Sequence, residues 1–186
     1  MNNFDRNFPF AEKHMPAIRF ALGNLPAKMF FDINTATPQQ DKEQATDLVL
    51  TLSSGDLAVR VRRREFWIRG LEERTFDWSV RAVNRHWKTE IQKLKDGFAR
   101  WYFYGYSYDD RGKLAHWYLI DLNRVRAARL LDHDFPVHYN LDGTAGMYIP
   151  IYRLKLAGAV LHSYEPKVRQ LPLFMSGGWE IVEDSR

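Results

Sequence analysis

Two short segments with a period-two pattern, residues 46–50 and 57–62, constrain the fold more than any other feature of the chain. Such a pattern is typical of β-strands, because successive side chains point to opposite faces of a sheet. The Ser-Ser-Gly-Asp sequence at 53–56 is typical of a turn. We therefore predict a β-hairpin with Asp47, Arg60 and Arg62 on one surface. That surface is either a phosphate or nucleotide site or an ordinary solvated strand face, and the second is the commoner case.

The composition predicts a single folded domain of residues 1–186. Hydrophobic residues make up 45% of the chain and aromatic residues 15%, which is enough for a sizeable core. No apolar run approaches the roughly 20 residues that cross a bilayer, and we expect neither a secretory signal nor a membrane partner. Cysteine is absent, which excludes disulfides and thiolate chemistry and agrees with a cytoplasmic location.

Basic residues are concentrated in the middle of the chain. Residues 60–100 contain twelve Lys and Arg against six Asp and Glu, whereas the whole chain has a net charge of +4. Most of these basic residues are arginines, whose planar guanidinium matches phosphate better than the lysine ammonium does. The bias favours a polyanionic partner, DNA or RNA.

Further periodicities predict helices and strands in alternation. Helices are predicted at residues 16–25, 85–100, 122–131 and 151–157, and strands at 75–83, 101–108, 116–122 and 159–164. Thr37 and Pro38 are typical of another helix start, residues 29–33 are ambiguous between helix and strand, and residues 72–74 are a predicted connection. The predicted fold class is therefore α/β or α+β, with a mixed central sheet flanked by helices.

The order helix, three strands, helix, strand over residues 41–122 resembles the core of the PD-(D/E)xK nuclease-like superfamily. Residues 45–49 resemble its first motif, an aspartate that opens the first core strand. Residues 57–62 resemble its second core strand, which carries an acid, one residue and a lysine. Residues 101–105 and 117–122 resemble later strands of phage and mobile-element members. The resemblance implies a restriction-endonuclease-like αβββαβ core at about residues 15–122 and a C-terminal extension at about 123–186.

The resemblance assigns Asp47 to the metal-binding aspartate, but Arg62 stands where lysine is expected and Arg60 stands where the second carboxylate is expected. Cleavage of this kind uses two or more acidic oxygens to hold Mg²⁺ or Mn²⁺, which activates water. A guanidinium repels such a cation and is a poor proton shuttle. A migrated acid would be Glu43 or Glu90. The implied catalytic residues are Asp47, Arg62 and Glu90, with Asp47 and Glu43 as metal ligands if Mg²⁺ or Mn²⁺ binds, and no cofactor otherwise.

Two further groups of residues each have two interpretations. Tyr102, Tyr104, Tyr106 and Tyr108 share one face of a predicted strand. They are either a stacking platform for bases or ordinary strand packing, and packing is the commoner case.

The densest group of candidate metal ligands comprises Asp132, His133, Asp134, His138 and Asp142. Adjacent residues in an extended segment point in different directions, so the pattern favours a polar loop over a closed metal site.

Two functions are consistent with these features. The first is a nuclease-like protein that acts on DNA or RNA, either as a hydrolase or by binding alone. Its candidate phosphate-binding residues are Arg60, Arg62, Arg63, Arg64 and Lys88. The alternative is a non-catalytic phage or mobile-element protein that binds a host protein, such as a component of a defence system, because Trp, Tyr and Arg are preferred interface residues. Self-association through the same surface is a third possibility.

Overall fold

The computed structural model describes residues 3–25, 32–35, 48–51, 57–73, 75–83, 88–109, 111–141, 143–165, 167–170 and 179–182. Within these ranges the helices are α1 (Asn3–Gly23), α2 (Arg64–Glu73), α3 (Glu90–Lys95), α4 (Leu122–Ala127) and α5 (Ile151–Leu156). The strands are β1 (Asp32–Thr35), β2 (Leu48–Thr51), β3 (Leu57–Arg62), β4 (Asp77–Val83), β5 (Trp101–Ser107), β6 (Leu114–Asp121), β7 (Val137–Tyr139), β8 (Ala145–Pro150), β9 (Val160–Tyr164), β10 (Lys167–Gln170) and β11 (Trp179–Val182). None of the described helices is both long and apolar enough to cross a bilayer.

Six strands form a central mixed sheet in the order β1-β2-β3-β5-β6-β9. β3 and β5 are parallel, with Leu57 beside Trp101 and Arg62 beside Tyr106, and the other neighbouring pairs are antiparallel. The antiparallel β2–β3 pair confirms the predicted strand pairing, whereas the predicted turn at 53–56 lies outside the described residues. A parallel pair needs a crossover connection, and the chain between β3 and β5 supplies it with α2, β4 and α3. The predicted class, a mixed sheet flanked by helices, is therefore confirmed.

The first face of the central sheet is covered by α1. Ile18 and Leu22, one helical turn apart, are buried together with Trp101 and Phe103 of β5. The helix includes the predicted segment 16–25 as far as Gly23 but begins at the third residue of the chain. Its buried face includes His14, one turn before the Ile18 on which the prediction was based.

A buried side-chain pair ties α1 to the carboxyl end of β5. His14 Nε2 lies 2.9 Å from Ser107 Oγ, and the ring Nδ1 lies 2.8 Å from the carbonyl oxygen of Phe10. Because a carbonyl oxygen only accepts, Nδ1 carries a proton in this arrangement. Both His14 and Ser107 are fully buried, so this serine–histidine pair is closed to substrates. Its role is to fix α1 on the sheet. The two residues are 93 positions apart in the chain, so no local sequence pattern predicts their contact.

The second face of the central sheet carries the tyrosine row. Tyr102, Tyr104 and Tyr106 are buried in the main core, and Tyr102 meets the ring of Trp78 edge-on at 5.2 Å. The stacking-platform interpretation is therefore wrong for these three residues, and the packing interpretation is confirmed. Tyr108 differs, because it lies beyond the end of β5 and is partly exposed.

The core beneath the tyrosine row is closed by a second, antiparallel sheet in the order β4-β8-β7. Residues 75–83 are predicted as a third core strand, and this placement is wrong because β4 pairs with β8. The physical reason is that Trp78 and Val80 are fully buried against the tyrosine row, and only a second layer can cover a sheet face in this way. β7 and β8 have no counterpart among the predicted strands.

The hydroxyl groups of the tyrosine row link the two layers. Tyr106 donates a hydrogen bond to the carbonyl oxygen of Asp77 at 2.8 Å, and the Tyr104 oxygen accepts one from the backbone N–H of Ser79 at 3.2 Å. Burial raises the pKa of Tyr106, so its hydroxyl remains a neutral donor. Each tyrosine therefore contributes apolar area to the core and a polar contact at its far end.

The segment after β3 is helical where a connection is predicted. α2 runs from Arg64 to Glu73, so the placement of residues 72–74 in a connection is wrong as far as Glu73. Trp67 and Leu71, one turn apart, both pack against the main core. This burial stabilises the helix although its surface is largely charged.

The helix predicted at residues 85–100 is shorter in the described part of the chain, where α3 covers Glu90–Lys95. Thr89 and Gln92 form a reciprocal capping box at its start. Gly97, with a φ of 92°, turns the chain away after the last helical residue. The predicted helix start at Thr37 and the residues around 85–87 lie outside the described residues.

An ion pair joins α5 to the residue that follows β9. Lys155 Nζ contacts the carboxylate of Glu165, and His116 Nε2 of β6 lies 3.7 Å from the same oxygen. The His116 ring and the Lys155 ammonium together lower the pKa of Glu165 to about 2, although partial burial acts in the opposite direction. Burial lowers the pKa of His116 itself, so Lys155 carries the opposing charge at neutral pH.

We expect Tyr106→Phe to lower the free energy of unfolding by about 1 kcal/mol, because the partly buried carbonyl of Asp77 loses its donor. Urea denaturation measures the change. Tyr139→Phe is the matched control, since Tyr139 is 73% exposed and its variant should leave the midpoint unaltered. Equal effects of the two substitutions would show that the hydroxyl contact between the layers contributes nothing.

We expect the stabilising effect of Glu165 to depend on pH. Its folded-state pKa of about 2 lies below the unfolded value of about 4.3. The contribution is therefore complete above the unfolded pKa and is lost as the pH falls towards 2. Thermal unfolding of the wild type and Glu165→Gln across this range should give curves that differ at neutral pH and converge in acid. A constant difference at every pH would contradict the assignment.

Candidate nucleic-acid interface

The polar face of β3 points into the space between the two sheets. Ala58, on the same face, is almost fully buried, and Arg60 and Arg62 are partly buried. The interpretation of this face as an ordinary solvated strand surface is therefore wrong. The second sheet and α3 cover it, so each arginine must find partners among the backbone and side chains of those elements.

Arg60 is held by an acid and a carbonyl group. Its Nη1 donates to Glu90 Oε2 at 2.9 Å and to the Ser79 carbonyl oxygen at 2.9 Å. Burial acts to lower the pKa of Arg60, but the Glu90 carboxylate and the neighbouring tyrosine oxygens outweigh it and raise the pKa. The guanidinium is therefore always charged, and its charge is neutralised inside the protein.

Glu90 is saturated with donors from three elements. Oε2 accepts from Arg60 and from the backbone N–H of Arg81 at 2.8 Å, and Oε1 accepts from the Tyr102 hydroxyl at 2.5 Å. Glu90 is the first residue of α3 and lies at the rim of the buried tyrosine row. The carboxylate therefore joins β3, β4, β5 and α3 at a single point.

The surroundings of Glu90 do not fit the binding of a hard divalent cation. Such an ion needs several free acidic oxygens, whereas both oxygens of Glu90 accept hydrogen bonds and one of them faces the Arg60 guanidinium. In the part of the chain that the structure describes, no three His, Asp or Glu residues converge in a geometry that could hold a metal. The candidate ligands Asp47 and Glu43 lie outside the described residues.

Arg62 lies next to this network, because Ser79 contacts both arginines. Arg62 Nη1 donates to the Ser79 hydroxyl at 2.5 Å, while the guanidinium lies 3.6 Å from the centroid of the Phe66 ring. It borders a shallow cleft that Arg69 and Asp77 also line. Within the described residues Arg62 has no acidic partner. Of the predicted catalytic residues, Glu90 therefore pairs with Arg60, whereas Arg62 contacts the Ser79 hydroxyl.

The next two arginines leave the interior. Arg63 and Arg64 are exposed at the start of α2, and the Arg63 guanidinium lies 4.8 Å from the centroid of the Phe10 ring. No described acid forms an ion pair with either residue. By contrast, Lys88 forms an ion pair with Asp96. Of the predicted phosphate-binding residues, Arg60 and Lys88 therefore already have acidic partners.

The candidate metal ligands after α4 do not converge. Asp132 forms ion pairs with Lys95 at 2.8 Å and Arg129 at 3.6 Å, and the ring of His138 packs edge-on against Tyr148 at 5.0 Å. Asp142 lies outside the described residues. Asp132 and His138 therefore have separate partners and do not share a common metal position.

The sequence prediction missed the partners that define the site. Ser79, Tyr102 and the backbone of Arg81 come from strands whose mutual placement depends on the second sheet. Glu90 is among the acids that the sequence analysis names, but nothing in the sequence indicates that it pairs with Arg60. Comparison of the chain with protein-family models, curated proteins and solved structures finds no significant match. The nuclease-like resemblance therefore remains a prediction.

We expect Arg60→Met to lower the free energy of unfolding by about 2–3 kcal/mol, because it leaves the Glu90 carboxylate without its countercharge. This loss of stability is smaller than for a fully buried ion pair, because the Arg60 and Glu90 side chains are 28% and 18% exposed. Adding Glu90→Gln should restore part of the stability, so that the double variant loses less than the sum of the single ones.

Arg64→Met is the matched control for this cycle, since Arg64 is exposed at the end of the same arginine run. Its substitution should change the urea midpoint little. Strict additivity of Arg60→Met and Glu90→Gln would contradict a direct interaction between the two side chains.

Proposed function

We propose that the protein binds the phosphate backbone of a nucleic acid through the arginines at the carboxyl end of β3. The observation that carries the proposal is a contrast within one short run. Arg60 is neutralised by Glu90, whereas Arg62, Arg63 and Arg64 have no acidic partner among the described residues. Guanidinium groups without a carboxylate partner provide the planar donors that phosphate oxygens accept.

The position of these arginines supports the same ligand. β3 and β5 are parallel, so their carboxyl ends lie at one edge of the central sheet. Ligands of α/β proteins bind preferentially outside the carboxyl ends of such strands. Arg62 ends β3, and Arg63 and Arg64 follow it at that edge.

The nuclease-like resemblance points in the same direction and favours binding over cleavage. The predicted order helix, three strands, helix, strand over residues 41–122 is not reproduced as such, because β4, the predicted third core strand, belongs to the second sheet. Arg60 occupies the position on the second core strand where the family has an acid. Glu90, one candidate for a migrated acid, is neutralised by that arginine. A protein of this kind would retain the phosphate-binding surface without a complete metal site.

The second candidate function is binding of a host protein, and the exposed edge of the second sheet favours it. Val137 and Tyr139 of the edge strand β7, and the following Leu141, are exposed large apolar residues. Aromatic side chains of this kind are common interface anchors. Tight association with a protein, together with undetectable nucleic-acid binding, would select this function.

The central prediction is binding to DNA or RNA that weakens steeply with salt. Each phosphate contact contributes roughly 0.7–0.9 to the slope of log affinity against log salt concentration. We expect Arg63→Ala plus Arg64→Ala to reduce that slope by roughly 1.5 and to weaken binding about tenfold at low salt. Fluorescence anisotropy with labelled oligonucleotides measures both quantities.

Arg153→Ala is the matched control, because Arg153 is an exposed arginine on α5 and its loss should leave the slope unchanged. Weak binding that does not respond to salt would overturn the proposal. The same oligonucleotides, incubated with Mg²⁺ or Mn²⁺, test cleavage. Cleavage by the wild type that is lost in Asp47→Ala would show that the protein is an active nuclease and not only a binding protein.

A further inference from the structure

We infer that His116 is the proton sensor of a latch that holds the end of β9 at neutral pH and releases it in mild acid. The latch, here called the acid latch, consists of His116 on β6, Lys155 on α5 and Glu165, the residue after β9. None of the arginines of β3 and α2 belongs to it, so the inference goes beyond the proposed function and does not rest on it.

His116 is enclosed by aromatic rings. Its ring centroid lies 4.5 Å from that of Phe76, 4.6 Å from that of Tyr118 and 5.9 Å from that of Tyr106. The residue is only 3% exposed. A neutral imidazole packs well in such surroundings. An imidazolium ion would lose its hydration there, and aromatic rings replace that hydration only in part.

The Nε2 atom of His116 has no hydrogen-bond partner in the part of the chain that the structure describes. It is completely buried and lies 3.7 Å from Glu165 Oε1, which is too long for a hydrogen bond. His14 is also fully buried, but its two ring nitrogens contact the Phe10 carbonyl oxygen and Ser107 Oγ at 2.8 and 2.9 Å. Such partners explain a buried histidine by the fold alone, and His116 Nε2 lacks them.

A single carboxylate oxygen serves both bases of the acid latch. Glu165 Oε1 contacts Lys155 Nζ, and the same atom faces His116. Glu165 and Lys155 are the charged groups that act on the ring, while burial raises the pKa of Tyr106 and of Tyr118 and keeps both neutral. A proton on His116 therefore places two cations against one carboxylate, and one positive charge beside the buried ring stays unbalanced.

The pKa of His116 agrees with this charge balance. Burial lowers it from its ordinary value of 6.5, the Glu165 carboxylate opposes this effect, and the Lys155 ammonium adds to it. Below a pH of about 6.5 the folded state thus takes up fewer protons than the unfolded chain, so stability falls until the pH reaches the folded-state pKa. This range begins well above the acid range of Glu165, so the two titrations are distinguishable.

The end of β9 is the part that yields. The Lys155 and Glu165 side chains are 46% and 41% exposed, so water can replace their ion pair, whereas His116 is fixed within β6 by its pairing with Tyr106. β9 is the last strand in the order of the central sheet, and β10 begins two residues after Glu165. Strand ends at the edge of a sheet open locally at low cost. Opening therefore frees this end while the core of the sheet persists.

Amide hydrogen exchange of the full chain, corrected for the intrinsic effect of pH, measures the release. We expect the protection of residues 160–165 to fall about tenfold between about pH 7.5 and pH 5, and that of residues 101–107 in β5 to stay constant. His116→Gln should abolish the difference between the two pH values, because glutamine does not titrate. His133→Gln, at an exposed histidine, is the matched control and should behave as the wild type.

Two variants at the exposed side of the acid latch decide the question if His116→Gln fails to fold. Lys155→Met removes the competing cation, so His116 should bind its proton roughly threefold to tenfold more tightly, and the end of β9 should no longer loosen in acid. Glu165→Gln removes the countercharge, so the proton should bind more weakly and the end of β9 should be loose at both pH values. Titration of the His116 ring by NMR measures the proton affinity.

The outcomes are distinct. Loosening of residues 160–165 in acid that disappears in His116→Gln or Lys155→Met supports the acid latch. Loosening of the same size in these variants would assign the effect to another group and overturn the inference. Unchanged protection of β9 at both pH values, or a His116 ring that titrates at or above its ordinary pKa, would overturn it as well.

Discussion

The ion pair between Arg60 and Glu90 is the interaction on which the layered arrangement depends. It lies where the central sheet, the second sheet and α3 meet, and the carboxylate also accepts from Tyr102 and from the backbone of β4. Removing two charges from water is costly, and the cost is offset only when the remaining donors and acceptors are also satisfied. The additional hydrogen bonds meet this requirement, so the pair fixes how the two sheets sit on each other.

This arrangement divides the arginine run into an inner and an outer part. Arg60 serves the interior, Arg62 is held between Ser79 and the Phe66 ring, and the arginines at the start of α2 face solvent. Residues with the same chemistry and adjacent positions therefore have different roles. The division follows from the strand itself, because a β-strand that enters a two-layer core directs alternate residues inward until it ends.

The aromatic residues are explained mainly by the core. Trp67, Trp78 and Trp101 are buried, as are three tyrosines of β5. These rings fill the space on both faces of the central sheet, and the tyrosine hydroxyls satisfy backbone groups of the neighbouring layer. The high aromatic content is thus first a consequence of a thick, two-layer core, although Phe20, Tyr108, Tyr139, Tyr152 and Tyr164 are exposed.

The sequence by itself determined the local structure: the β2–β3 strand pair, the strands β5, β6 and β9, the helices α4 and α5, and the excess of basic residues near β3. These features depend on residue periodicity and turn chemistry within short windows. Only the tertiary structure decided that β4 belongs to the second sheet, that Glu90 pairs with Arg60, and that Tyr108 packs against Trp67. Each of these depends on contacts between residues far apart in the chain, which are selected by burial and by the need to satisfy polar groups. A one-dimensional pattern carries no information on which distant partner meets that need.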